Sequence, residues 1–423
     1  MSLLKKLSGS VLLKASFIYT GTRVINSAIP FLMMPILTRY LTPVDYGIVT
    51  MFQVLVGIIG PFTGLSINGA INRQYYERDK INFPKYVANS FYLLLLSTFI
   101  VGLFFVLFAP QISSLSAFPK EWLWAVLLVS FCHFIIAVVL LQWQVQVKPL
   151  YFGIFQITNT ILNVSLSLWF VVLMGFDWQG RIQGQVITAV IFALIAFYVL
   201  WKNGWLAKGL SKRYMMHGVK FGVPLIPHSL GSFLITMTDR FFITNMVGIA
   251  ETGLYAVGYQ FGNIIGIIQD SFNKAWVPWL YERLKKDDDN EKIRIVKITY
   301  IYFVGILLLA LVFSLIAPWF LSFFVGDKFT ESGKYVFWIA IGYAFNGMYK
   351  MVTNYIFYAE KTSYLAWVTF LTAMLNVVFT YLFIKMNGPI GAAQGTALAF
   401  FISFVLTWLL SQRVYKMPWG LKK

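Results

Sequence analysis

The 423-residue chain has one cysteine, three histidines and only 16 acidic residues against 34 basic ones. A lone thiol, Cys132, excludes an intrachain disulfide and leaves the redox compartment unread. No Cys or His cluster has the spacing of a metal site. Charged residues make up only 12% of the chain, and no Gly-rich phosphate loop of the Walker type occurs. No polar stretch is long enough to house a nucleotide-binding domain, so ATP is excluded as the direct energy source.

What fills the chain is apolar: 59% of residues are hydrophobic and the mean hydropathy is +0.72, more than a water-soluble core can bury. A membrane crossing of roughly 30 Å takes about 20 apolar residues. Twelve such spans are predicted. The first six run Ala15 to Leu41, Asp45 to Asn68, Tyr86 to Ala109, Trp122 to Val147, Tyr151 to Met174 and Ile182 to Trp201. The second six run Tyr214 to Asp239, Glu251 to Leu280, Ile293 to Ala317, Tyr335 to Tyr358, Tyr364 to Met386 and Pro389 to Leu410. The fold class is an all-α integral membrane protein with about twelve transmembrane helices.

A net charge of +18 invites a nucleic-acid reading, but the basic residues are scattered over short connections between spans, which is how topology is written. With the N-terminus inside, most Lys and Arg fall at cytoplasmic ends, and both termini are expected in the cytoplasm. Clusters such as Arg73/Arg78/Lys80/Lys85 and Lys202/Lys208/Lys212/Arg213 then face anionic membrane lipid, and nucleic acid is excluded as a partner. Lys5-Lys6 before an apolar run resembles a signal peptide, but the run continues to Leu41 without a small-residue cleavage pattern, which predicts a retained first helix.

The chain repeats itself. Asp45-Tyr46-Gly47 is echoed by Glu251-Thr252-Gly253, and Tyr76-Glu77-Arg78 by Tyr281-Glu282-Arg283. Lys148…Tyr151…Leu162-Asn163-Val164 returns as Lys361…Tyr364…Leu375-Asn376-Val377, and Gly180-Arg181-Ile182-Gln183-Gly184 as Gly391-Ala392-Ala393-Gln394-Gly395. Six spans separate each pair. Because six is even, the halves enter the membrane in the same direction, as parallel repeats. The basic linker Asn203 to Arg213 divides an N-lobe, residues 1–206 with spans 1 to 6, from a C-lobe, residues 207–423 with spans 7 to 12. Two such lobes are expected to enclose a central cavity.

Polarity and helix breakers mark the lining, since lipid-facing helices have no use for either. Span 1 carries Tyr19, Thr22, Arg23, Asn26, Ser27 and Pro30 on one face, and span 7 carries Lys220, Pro224, Pro227, His228 and Gly231. Span 8 has Gly258, Gly262, Gly266, Asp270 and Lys274 at steps of four, a ladder that permits close helix approach. Spans 1, 2, 7 and 8 are therefore the predicted lining. Arg23, Lys274 and Lys350 sit well inside their spans, where a lipid-exposed Lys or Arg costs roughly 2.5–3.5 kcal/mol, so they are expected to meet water or a partner. Arg23 has no acid near it on its own helix. Lys274 has Asp270 one turn before it, which predicts an i,i+4 ion pair.

Phe31-Leu32-Met33-Met34-Pro35-Ile36-Leu37-Thr38-Arg39-Tyr40-Leu41-Thr42-Pro43 with Asp45-Tyr46-Gly47, and Asp239-Arg240-Phe241-Phe242-Ile243 with Gly248, Glu251, Gly253 and Tyr255, resemble the paired signatures of bacterial polysaccharide transporters of the O-antigen flippase type. These belong to the multidrug/oligosaccharidyl-lipid/polysaccharide exporter superfamily. The resemblance implies a two-lobed transporter of the bacterial cytoplasmic membrane. It would move an undecaprenyl-pyrophosphate-linked oligosaccharide of O-antigen or capsule type to the outer leaflet by alternating access. It also implies no cofactor beyond a coupling ion, H+ or Na+, and association with a polysaccharide polymerase and chain-length regulator.

A pyrophosphate diester calls for cations and a glycan for amides, hydroxyls and aromatic faces. Arg23, Asn26, Asn68, Lys274, Lys350, Tyr259 and Asn263 are the expected substrate contacts. Asp270, His228, Arg39, Asp239 and Arg240 are the candidates for ion coupling or gating. The rival within the superfamily is a cation-coupled exporter of drugs or small molecules, which would place acids deep in the first lobe, where span 1 presents Arg23. A membrane polymerase or ligase would need catalytic groups gathered in a large outer loop. The longest outer connections expected are only Pro110 to Glu121 and Pro318 to Lys334, so the chain is not expected to be an enzyme.

Overall fold

A computed structural model describes residues 11–361 and 363–420, with side chains at all of these except 11–14, 16, 232, 234–236, 363, 364 and 366. The first half contains α1 (Val11–Tyr40), α2 (Pro43–Thr63), α3 (Asn68–Tyr75), α4 (Phe83–Ser116), α5 (Leu123–Val145), α6 (Pro149–Leu168) and α7 (Trp178–Lys202). The second contains α8 (Lys212–Gly222), α9 (Ile226–Met246), α10 (Ile249–Leu284), α11 (Asp289–Phe324), α12 (Gly333–Tyr358), α13 (Ser363–Asn387) and α14 (Ile390–Val414). No strand occurs among the described residues. Spans 2 and 7 are each divided, so among the described residues fourteen α-helices make two halves of six spans.

Both divisions differ from the unbroken helices expected. Span 2 stops at Thr63, and Leu65 and Ser66 adopt left-handed backbone (φ 47° and 51°) before α3 begins. The turn is held by packing: Gly222 presses on it so closely that a Cβ there would lie 2.1 Å from the Leu65 carbonyl oxygen. Span 7 breaks at a 3-10 turn over Val223–Leu225, where Pro224 and Pro227 lack the N–H that a continuous helix needs. Two expected outer loops are largely helix instead. α4 runs through Pro110 with a kink at Phe108, and α11 runs through Pro318 to Phe324.

Eight helical segments among the described residues are long and apolar enough to cross a membrane by length and composition. The long helices outside that group are α1, the α8–α9 pair, α10 and α12. They carry Arg23, Asp239, Arg240, Asp270, Lys274 and Lys350.

The chain forms two compact units, Met1–Leu41 with Ile48–Phe233 and Thr42–Gly47 with Leu234–Lys423. The division falls inside α9, beyond the 206/207 boundary expected from the linker. Within the first unit the linker is clasped to the start of α4. Buried Asn89 donates to the Gly209 carbonyl (3.0 Å) and accepts from the Ser211 N–H (2.8 Å), and the Ala207 N–H donates to the Pro84 carbonyl (3.2 Å). α8 is held there too, by the Tyr214 hydroxyl accepting from the Asn82 N–H and by His217 between Tyr86 (2.9 Å) and Gln74 (3.3 Å).

The repeat is visible in matched local geometry. Val147 and Glu360 both take left-handed backbone (φ 54° and 57°). The N–H groups of Lys148 and Lys361 behind them reach back to the carbonyls of Trp143 (2.8 Å) and Ile356 (3.2 Å), the same helix-ending motif in each half. Gly184 lies against Ser167, where a Cβ would come 2.7 Å from the Ser167 nitrogen, and Gly395 lies against Thr380 at 2.8 Å from its nitrogen. Small residues at these crossings let α6 approach α7 and α13 approach α14 closely.

Candidate functional site

The site residues are placed by helices whose ends are fixed by local chemistry. Thr42 caps α2: its N–H and hydroxyl both donate to Asp45 Oδ2 (2.8 and 2.5 Å), while the Asp45 N–H donates back to the Thr42 hydroxyl (3.2 Å). Gly248, with φ 137°, makes the sharp turn from α9 into α10 that a side chain would oppose.

In the second unit, α9, α10 and α12 assemble a buried charged knot. Asp239 and Arg240 are each 4% exposed. Arg240 Nη1 donates to Asp239 Oδ1 at 2.6 Å, and the Tyr255 hydroxyl donates to Oδ2 at 2.5 Å. The guanidinium lies 3.9 Å from the centre of the Tyr259 ring, and the Tyr259 hydroxyl shares a 2.6 Å hydrogen bond with that of Tyr343. Pairing, hydrogen bonds and the aromatic face together compensate for desolvating the charges.

A polar seam continues along α10 and α12. Glu251 accepts from Lys334 (2.7 Å) and from the Tyr335 hydroxyl. Farther along, the Gln269 amide donates to Asn346 (3.3 Å) and to Asp270 (3.2 Å), and Asn354 donates to Asn273 (2.9 Å). Asp270 does not pair with Lys274 one turn ahead. Its ion pair is with Lys350 on α12, because α12 runs close beside α10 and brings the ammonium to the carboxylate.

Lys274 is exposed and makes no hydrogen bond or ion pair among the described residues, and the same holds for Arg23 on α1. In the first unit Asn26 donates to Gln156 (3.2 Å) while its own carbonyl oxygen is buried without a partner, as is that of Asn68 at the start of α3. Arg39 closes α1 by donating to the Pro35 carbonyl (3.0 Å), and His228 is exposed near the start of α9. Asn263 is half-buried, its side-chain oxygen beside Gly266. Thus Asp239, Arg240 and Tyr259 come together, as do Asp270 and Lys350, while Arg23, Asn26, Asn68 and Arg39 are spread over their unit.

Three contributors escaped sequence reasoning. Tyr343 meets Tyr259 from 84 positions away, so no local pattern marks it. Arg181, read only as part of a repeat, is a buried cation held by Asn163 (2.7 Å) and Ser167 (2.6 Å). His217 binds Tyr86, and here the amphipathic helix Lys212–Gly222 was a signal. Outside the membrane segments, Lys80 first and Arg73 second hold the Glu77 carboxyl below the usual carboxylate range. Among the described residues no three His, Cys, Asp or Glu gather as a metal site.

The twelve expected spans contain only four acids, Asp45, Asp239, Glu251 and Asp270. Each is engaged, by Thr42, Arg240, Lys334 and Lys350 respectively. The charge left over inside the helices is positive.

The family model described as polysaccharide biosynthesis protein matches residues 12–284, more than half of the chain. A membrane protein of Haemophilus influenzae is 28% identical over 375 residues, covering 86% of this chain and 88% of its own. Among solved structures, an inward-facing multidrug resistance MATE family transporter of the MOP superfamily superposes with a TM-score of 0.72 at 15% identity, over 92% of this chain and 94% of that one. The lipid II flippase MurJ, in an inward closed conformation, superposes with a TM-score of 0.70 at 17% identity, over 96% and 88%. At these identities the structural likeness carries the fold alone.

Proposed function

Because the chain belongs to the polysaccharide biosynthesis protein family, we propose that this multi-pass membrane transporter is a flippase for an oligosaccharide carried on undecaprenyl pyrophosphate. The observation that carries the reading is the charge balance. With all four span acids engaged, the cations without an acid partner among the described residues include Arg23 and Lys274, well inside their helices. An anionic diphosphate diester suits such cations; a cationic drug would add to the positive charge. Arg23 offers a forked contact and Lys274 a point charge. The half-buried Asn26, Asn68 and Asn263 offer amides to the sugars.

On this reading the protein works in the bacterial cytoplasmic membrane with both termini inside, loading from the cytoplasmic leaflet by alternating access and handing its product to a polymerase and chain-length regulator. The test is to deplete the protein and identify lipid-linked oligosaccharides by mass spectrometry. Accumulation of one such lipid in the cytoplasmic leaflet is the expected result. Unchanged lipid-linked oligosaccharides, together with efflux of a cationic dye by reconstituted protein, would replace this reading with the exporter.

A further inference from the structure

On the second unit, α13 and α14 leave between them a trough of about 620 Å³, lined by Trp367, Phe370, Leu371, Met374, Leu409 and Arg413 among others. Its size lies within the range of small-molecule sites, roughly 300–1,000 Å³. The wall is apolar apart from Arg413, and its large side chains stand open: Trp367 is 75% exposed and Leu409 55%. The helices are joined by the short turn at Gly388 and Pro389, so Trp367 near the start of α13 and Arg413 near the end of α14 lie at the same mouth.

The depth is informative. The lining runs from Trp367 to Met374 on α13 and from Leu406 to Arg413 on α14, about 10 Å of helix at 1.5 Å per residue. Half of a hydrocarbon core of roughly 30 Å is about 15 Å. The trough therefore fits the depth of one leaflet, with its cation where a headgroup would be.

Arg413 is not accounted for by its helix end. Arginines there can bond the last carbonyls, as Arg39 does to Pro35 and Arg78 to Tyr75 (3.0 Å each). Arg413 is exposed and makes no hydrogen bond or ion pair among the described residues. The plan recurs on the first unit, where a trough of about 580 Å³ between α4 and α5 is apolar except for Thr98 and for Lys120 at its end.

We propose that the α13–α14 trough is a binding site for an anionic phospholipid, its phosphate on Arg413 and an acyl chain along Trp367, Phe370, Met374 and Leu409. The occupant follows from charge complementarity and depth: one unpaired guanidinium, one leaflet of apolar wall, and a membrane that supplies such lipids at high local concentration. The site is independent of the flippase reading, since no transport step enters it.

The full-length protein is purified in detergent, supplied with equal amounts of phosphatidylglycerol and phosphatidylethanolamine, and its retained lipids are counted by native mass spectrometry. Wild type is expected to prefer phosphatidylglycerol. Arg413→Gln should reduce that preference about fivefold, the factor that one cation at an anionic surface contributes. Arg413→Lys should keep most of it, and Leu409→Trp, which fills the trough, should lower retention of both lipids. An unchanged preference in a folded Arg413→Gln would overturn the proposal, as would unchanged retention of both lipids in Leu409→Trp should the first variant not fold. Displacement of phosphatidylglycerol by an equal amount of a polyprenyl phosphate would reassign the trough to an isoprenoid chain.

Discussion

Gly253 and Gly47, the last residues of two matching tripeptides, meet backbone to backbone: a Cβ on Gly253 would lie 2.9 Å from the Gly47 nitrogen and 2.0 Å from the Pro43 carbonyl oxygen. From the other side, a Cβ on Gly47 would meet the Ile249 carbonyl oxygen at 2.1 Å. The starts of α2 and α10 thus touch without side chains between them. Gly253→Ala should destabilise the protein by roughly 1–3 kcal/mol through overpacking against backbone that cannot give way. Gly60→Ala, where nothing lies within 4 Å, is the control. Thermal unfolding in detergent compares the two, and equal midpoints would show that the contact carries no stability.

Arg23 and Lys274 are predicted to act through charge. Arg23→Gln and Lys274→Gln should each lower export severalfold at equal protein abundance, while Arg23→Lys keeps part of it, since the charge remains and the fork is lost. The readout is the amount of lipid-linked oligosaccharide left in the cytoplasmic leaflet. Wild-type export by Arg23→Gln would remove it as a phosphate contact.

The Asp270–Lys350 pair gives a prediction of opposite sign. Its groups are 52% and 28% exposed, so screening leaves the pair little weight in stability. Asp270→Asn frees a third cation beside Lys274, which should tighten binding of an anionic substrate and slow its release. The double variant Asp270→Asn/Lys350→Gln should return binding toward wild type. Single-turnover transport measures both, and a double variant no different from Asp270→Asn would show that Lys350 does not reach the substrate.

The linker clasp can be opened by Asn89→Ala. That leaves the Gly209 carbonyl and Ser211 N–H without their buried partner, a loss of about 1–3 kcal/mol. Faster cleavage between Asn203 and Ser211 under limited proteolysis, with membrane insertion unchanged, is the expected outcome.

The spans, the duplication and the concentration of polar residues on a few helices were legible because hydrophobic length and repeated spacing are local properties. What was not legible depends on packing between distant segments. Gly64 and Asn68-Gly69 around Leu65 and Ser66 are turn signals inside an apolar run that otherwise reads as continuous; the packing of Gly222 on the turn has no local signature. Asp270 had an obvious partner four residues away and took another on α12. Asp239 and Arg240 stood out as a motif, but their aromatic cage needed Tyr343. Pro110 and Pro318 read as helix ends, yet both helices continue past them, since membrane helices tolerate proline where neighbours satisfy the freed carbonyls.

The surplus positive charge has an energetic consequence. On the proposed reading, the empty protein carries Arg23 and Lys274 uncompensated, and in the loaded protein the negative charge of the substrate offsets theirs. Each charge crossing 100 mV of membrane potential gains or loses about 2.3 kcal/mol. The voltage then acts on the return of the empty carrier and hardly at all on the passage of its cargo. An inside-negative potential draws the two cations back toward the cytoplasm, where the next substrate waits. Export into inside-out vesicles should accelerate under a potassium diffusion potential that makes their outer, cytoplasmic face negative, and this acceleration should shrink in Arg23→Gln and Lys274→Gln.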